Sequence, residues 1–146
     1  MNEEKKEIDV LDELNKGACM GRDAIHFILD KVEDDNLKKE LNNQYNKYKE
    51  ITDKIGKLYP EYSNKEPHET NAMNKVMTWY GIEMKTLFDK STSKIAELLL
   101  QGTNMGIIEG RRLLNQNDDA APDVKSILND FVVMQEDSVE TLKKYL

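Results

Sequence analysis

Apolar residues recur every three or four positions along most of this chain, and this periodicity constrains its fold more than any other feature. The spacing places them on one face of an α-helix, and no stretch shows the alternation with period two that is typical of a β-strand. The first stretch illustrates the pattern with Leu11, Leu14, Ala18, Gly21, Ile25, Ile28 and Val32. The periodicity predicts one helical domain over residues 1–146, with helices at 8–32, 36–59, 68–89, 92–116 and 122–146.

Prolines and short polar runs separate these helices. Pro60 and Pro67 bracket a polar loop, whereas Pro122 fits the first turn of a new helix. Four of the stretches have similar lengths of roughly 24 residues, or about 36 Å, which suits a four-helix bundle. Tight links join the first two and the last two, and a long connection joins the pairs. We therefore predict an all-α, ferritin-like up-down four-helix bundle with a crossover helix between the second and third bundle helices.

The composition excludes several classes of function. Asp and Glu number 28 against 21 Lys and Arg, so the net charge of −7 argues against nucleic-acid binding. A single cysteine excludes an internal disulfide and a cysteine-based zinc site. The most apolar run, residues 95–100, is far shorter than the roughly 20 residues that a membrane span requires. The charged N-terminus does not have the pattern of a signal peptide, so we expect a cytoplasmic protein without a membrane span.

Three stretches of the chain resemble a known family. Residues 32–41 look like its first hairpin turn, residues 84–97 like its junction between crossover and helix, and residues 101–108 like its third bundle helix. On these stretches the chain resembles an uncharacterised, clostridial-type bacterial family of small ferritin-like proteins. The resemblance extends from about residue 8 to the end of the chain and implies the ferritin-like fold, although a fold does not imply a function.

The resemblance also raises the question of a di-iron site. Ferritin-like enzymes take a Glu from each of two helices and a Glu-x-x-His pair from each of the other two. This sequence has no Glu-x-x-His, and its histidines are His26 and His68. We therefore predict no cofactor and an absent or lost metal site. Asp23, His26 and Glu109 are the weak candidates for metal ligands.

Uncharged polar residues take the positions at the middle of the predicted bundle. This mid-bundle polar layer consists of Gln44, Tyr45, Thr103, Gln135 and Ser138. One interpretation is that Gln44, Gln135 and Ser138 hydrogen-bond to each other and fix the register of the helices. The alternative is a small pocket for a polar ligand.

The predicted crossover helix is rich in methionine and aromatic residues. Met77, Trp79, Tyr80 and Met84 fit either the core or a surface that contacts a partner. A homodimer or a protein partner bound through this helix therefore stays open.

Three functions remain after these exclusions. The leading hypothesis is a non-catalytic bundle that acts by protein–protein contact or as a small structural or stress-related protein. The first alternative is a metal-dependent oxidase of the di-iron type or an iron-handling protein. The second is a small-ligand-binding module that uses the mid-bundle polar layer.

Overall fold

The computed structural model describes residues 2–67, 79–81 and 91–146, with side chains from Lys5 onward. Every regular element in these ranges is helical, as the all-α prediction requires. The four long helices are α1 (Asn2–Leu29), α2 (Asp35–Leu58), α3 (Thr92–Gln116) and α4 (Pro122–Leu142), and short 3-10 turns follow at Tyr59–Glu61 and Lys143–Tyr145. Residues 79–81 are also helical.

The helix boundaries differ from the periodicity mainly in α1. This helix begins at Asn2, six residues before the predicted start. The prediction began at residue 8 because residues 2–7 are charged and polar and show no apolar periodicity. It ends at Leu29, three residues before the predicted end, although Val32 in the following loop is buried and continues the apolar spacing. The predicted helix at 68–89 lies outside the described residues except for 79–81.

Side chains cap the starts of α2 and α3. The carboxylate of Asp34 accepts a hydrogen bond of 2.8 Å from the N–H of Leu37. The hydroxyl of Ser91 accepts one from the N–H of Lys94 at 3.4 Å. Each bond satisfies a backbone donor that has no partner inside the helix, so these residues fix where the two helices begin.

The start of α4 depends on distant parts of the chain. Pro122 takes its first helical position, where a missing N–H costs nothing. The carboxylate of Glu7 on α1 accepts a hydrogen bond of 3.0 Å from the N–H of Ala121. The phenol of Tyr62 donates to Asp123 at 3.0 Å, and burial together with this bond raises the pKa of Tyr62 to about 12. These contacts place the end of α2 and the starts of α1 and α4 at one end of the molecule.

Contacts at two levels fix the relative direction of α1 and α2. Near one end, the phenol of Tyr59 donates a hydrogen bond of 2.9 Å to Asp12, and burial and this bond raise the pKa of Tyr59 to about 12. Further along, the ring of Tyr48 lies against Gly21. Because the α2 residue number falls as the α1 number rises, the two helices are antiparallel.

Contacts at two levels also fix the direction of α4 relative to α2. Lys54 forms an ion pair with Asp130 at 3.2 Å, and Tyr48 donates to Gln135 at 3.4 Å. These two helices are antiparallel, so α1 and α4 run in the same direction.

Two glycines of α3 orient that helix against α4. Gly110 lies against Val132, and Gly106 lies against Gln135. The residue number on α4 rises as that on α3 falls, so α3 is antiparallel to α4. The helices α2 and α3 therefore share one direction, opposite to that of α1 and α4.

All four helices contribute to one contiguous core. Its most deeply buried aliphatic side chains are Leu11, Leu14, Ile28, Val32, Leu37, Leu41, Ile55, Val124, Leu128, Val132 and Leu142. In the part of the chain that the structure describes, the buried carboxylates are those of Glu7 and Asp23. The acidic surplus is therefore mostly at the surface, where it favours solubility. No helix among the described residues is long and apolar enough to cross a membrane.

Candidate functional site

A cavity of about 590 Å³ lies between α1 and α3, with side chains of α2 and α4 on its inner wall. Helical residues Trp79 and Tyr80 also line it. Cavities of this size are typical of sites for small molecules. We call it the α1–α3 cavity.

Glycines form part of the wall of this cavity. Two come from α1 and three from α3 at intervals of one helical turn: Gly17, Gly21, Gly102, Gly106 and Gly110. A β-carbon at any of them would press on or overlap a neighbouring side chain. The glycines therefore let large side chains from other elements approach the two backbones.

Two of the close approaches lie at mid-bundle. A β-carbon at Gly21 would overlap the ring of Tyr48, and one at Gly106 would overlap the side-chain oxygen of Gln135. Gly21 and Gly106 thus make room for a phenol and an amide on the inner wall, and both side chains are almost fully buried.

Hydrogen bonds already occupy the polar groups of the inner wall. The phenol of Tyr48 donates to the side-chain oxygen of Gln135 at 3.4 Å, and the amide of Gln135 donates to the carbonyl of Phe131 at 3.3 Å. The amide of Gln44 donates to Glu40 at 3.1 Å. The inner wall therefore has few unsatisfied polar groups to offer to a ligand.

This pattern differs from the interpretation that Gln44, Gln135 and Ser138 hydrogen-bond to each other. The hydroxyl of Ser138 donates to the carbonyl of Met134 on its own helix at 2.8 Å. A serine on a helix readily bonds to the carbonyl four residues earlier. The bond that crosses between helices joins Gln135 to Tyr48, which the sequence interpretation did not include.

The wall at mid-bundle carries no net charge. Burial raises the pKa of Tyr48, and the neighbouring Tyr80 adds to the effect. Burial also raises the pKa of Tyr80. Both phenols therefore stay protonated at neutral pH, and the amides beside them are neutral.

Charged residues line the cavity near the end of α3. Glu109 and Arg112 form an ion pair at 2.5 Å, and Glu13 of α1 lies on the same side of the cavity. The other end is lined by Ile25, Leu99, Trp79 and Tyr80, together with Ala24. The cavity therefore changes from charged to apolar along the direction of the helices.

The residues of the predicted polar layer do not all reach the cavity. Gln44, Thr103 and Gln135 line it. Tyr45 lies instead beside His26, with 6.4 Å between ring centroids, and Ser138 is buried elsewhere. The structure thus brings together three of the five residues.

The weak metal-ligand candidates have other surroundings. Asp23 pairs with the neighbouring Arg22 at 3.2 Å, the ring of His26 lies tilted near that of Tyr45, and Glu109 pairs with Arg112. Among the described residues, no group of three or more His, Cys, Asp or Glu side chains could hold a metal ion.

The structure describes two of the four residues of the predicted partner surface. Trp79 and Tyr80 meet edge to face with 4.6 Å between ring centroids, and both line the α1–α3 cavity. Tyr80 is only 5% exposed. Met77 and Met84 lie outside the described residues.

Tyr48 and Phe131 are wall residues that the sequence does not single out, because each continues the apolar spacing of its helix as a core residue does. A usable signal was the repeated spacing of four between glycines, at 17 and 21 and again at 102, 106 and 110. Glycines at this interval in soluble helices cost stability unless a neighbour needs the space.

The described helices form an all-α protein with a cavity of about 590 Å³ between α1 and α3. No protein-family model, curated protein or solved structure matches the chain.

Proposed function

We propose that this protein is a non-catalytic module that binds a small, largely apolar molecule in the α1–α3 cavity. The observation that supports this proposal is the cavity of about 590 Å³ with an uncharged inner wall. A well-packed bundle would fill such a space with side chains, since an empty cavity lowers stability. Here the side chains that pack against the glycines of α1 and α3 leave a cavity beside them.

The ferritin-like connectivity is part of the same proposal. The helices α2 and α3 share one direction, so the end of α2 at Leu58 and the start of α3 at Thr92 lie at opposite ends of the bundle. Such a connection between two hairpins is the ferritin-like arrangement. A reducing cytoplasmic location suits a chain whose single cysteine, Cys19, is buried.

Protein contact is the second candidate function. Met105 and Ile108 are 49% and 54% exposed and lie one turn apart on α3. Large apolar side chains at the surface favour contact with another protein when they form a patch. Met105 also lines the cavity, so the two candidate sites adjoin.

We expect the Thr103→Phe variant to lose affinity for an apolar probe. Thr103 lines the cavity, so a phenylalanine ring there would occupy the space. The measurement is a fluorescence titration with the neutral probe N-phenyl-1-naphthylamine. We expect saturable binding to the unchanged protein and a weakening of about tenfold or more in the variant, equivalent to about 1.4 kcal/mol.

A matched control is available on α4. The hydroxyls of Thr103 and Thr141 both donate to the carbonyl four residues earlier, at 2.8 and 3.2 Å. Thr141 does not line the cavity, so Thr141→Phe should bind the probe as the unchanged protein does. Equal affinities for both variants, or no saturable binding to the unchanged protein, would rule out the cavity as the binding site.

A further inference from the structure

We propose that the ligand is a single-chain amphiphile that lies along the α1–α3 cavity. Its polar head would lie at the end near Arg112, and its hydrocarbon chain would extend toward Trp79. This inference rests on the proposed function, because it names the class of molecule and its orientation in the same site.

The shape of the cavity supports a long, narrow ligand. Its lining residues extend from Glu13 to Ile25 on α1 and from Leu99 to Gln116 on α3. At 1.5 Å per residue these segments are about 18 and 25 Å long. A volume of about 590 Å³ over such a length leaves a width that suits one extended chain better than a bulky ring system.

The inner wall can accept a hydrocarbon chain at little cost. The phenol of Tyr48 and the amides of Gln44 and Gln135 already have hydrogen-bond partners in the protein. An apolar chain that passes them therefore leaves no buried donor or acceptor newly unsatisfied. A ligand with a charge at this depth would lose its hydration without a compensating partner.

The distribution of charge sets the orientation. Glu13, Glu109 and Arg112 line one end, where a polar head can keep its hydration. A second recess of about 370 Å³ shares Glu13 and Leu113 with the cavity and is also lined by Lys5, Lys6 and Asp9. The polar end thus adjoins a recess that is lined by charges of both signs, whereas Leu99 and Trp79 line the apolar end.

Trp79 provides a direct test of this orientation, because it is the single tryptophan of the chain. Two stearic acids would be used below their micelle concentrations, one with a nitroxide near the carboxylate and one with a nitroxide near the methyl end. We expect both to bind, and the label near the methyl end to quench Trp79 fluorescence several times more strongly. The Thr103→Phe variant should reduce the quenching, and Thr141→Phe should not.

The outcomes separate the two proposals. Stronger quenching by the label near the carboxylate, or equal quenching, would overturn the orientation. Binding of N-phenyl-1-naphthylamine without binding of either stearic acid would overturn the ligand class and leave the proposed function standing. Failure of all three probes to bind would contradict both proposals.

Discussion

At pH 7 we expect the Gln135→Glu variant to lose about 3 kcal/mol of free energy of unfolding, because it buries a carboxylate without a counter-ion. Gln135 is only 2% exposed, and its side-chain oxygen accepts from the phenol of Tyr48. Burial would raise the pKa of the introduced carboxyl above its unfolded value of about 4.3. The native state then binds a proton that the unfolded state has released, so the loss grows as pH rises through this interval. Denaturant unfolding at several pH values measures it.

The exposed Gln101 on α3 provides the control. Gln101→Glu adds the same charge at a solvated position, so we expect its free energy of unfolding to stay within about 0.5 kcal/mol of the unchanged protein. At pH 4 the difference between the two variants should shrink. Equal stability of both variants at pH 7 would show that the mid-bundle wall is hydrated enough to hold a charge.

The second large effect concerns Gly110. A β-carbon there would lie 2.7 Å from a methyl carbon of Val132, which is fully buried. A β-branched side chain has little freedom to move aside, so the helices α3 and α4 would have to separate. We expect Gly110→Ala to lower the free energy of unfolding by about 1–2 kcal/mol, after the gain of up to about 1 kcal/mol in helix propensity.

Gly56 is the matched position for this substitution. It lies on α2 with nothing within 4 Å of an added β-carbon, so only helix propensity acts there. Gly56→Ala should raise the free energy of unfolding by about 0.5–1 kcal/mol. Thermal or denaturant unfolding should therefore give opposite signs for the two variants. A stabilised Gly110→Ala would mean that α3 and α4 do not approach closely at this level.

Local signals in the sequence were sufficient to place the described helices. Apolar periodicity marks their buried faces, the N-cap residue Asp34 marks the start of α2, and Pro122 in the first turn marks the start of α4. The start of α1 at Asn2 was missed because its first turns carry charged and polar residues, which give no apolar periodicity. Apolar periodicity marks the stretches whose apolar side chains pack into the core, so it does not reveal a helix start that consists of polar residues.

The cavity could be anticipated only in part. The sequence gives the polar residues Gln44, Thr103 and Gln135 and the spacing of the glycines, but not which side chain fills the space beside each glycine. That depends on the register between helices distant in sequence, as with Tyr48 against Gly21. For the same reason Ser138 and Tyr45, which share the predicted level, lie outside the cavity.

The net charge of −7 does not come from carboxylates gathered inside the described bundle. If the chain is compared with ferritin-like enzymes, its acidic surplus raises the expectation of inward carboxylates that hold metal. In the described part of the chain, Glu7 instead accepts from the start of α4 and Asp23 pairs with Arg22. The neutral wall between them suits an apolar ligand.

The most direct test of the binding proposal is methyl NMR during a titration with N-phenyl-1-naphthylamine. We predict saturable shifts at the methyl groups of Met20, Ile25 and Leu99, which line the α1–α3 cavity. The methyl groups of Val133 and Leu146, which are exposed elsewhere, should stay in place. Shifts confined to Val133 and Leu146, or no shifts at saturating probe, would contradict the account.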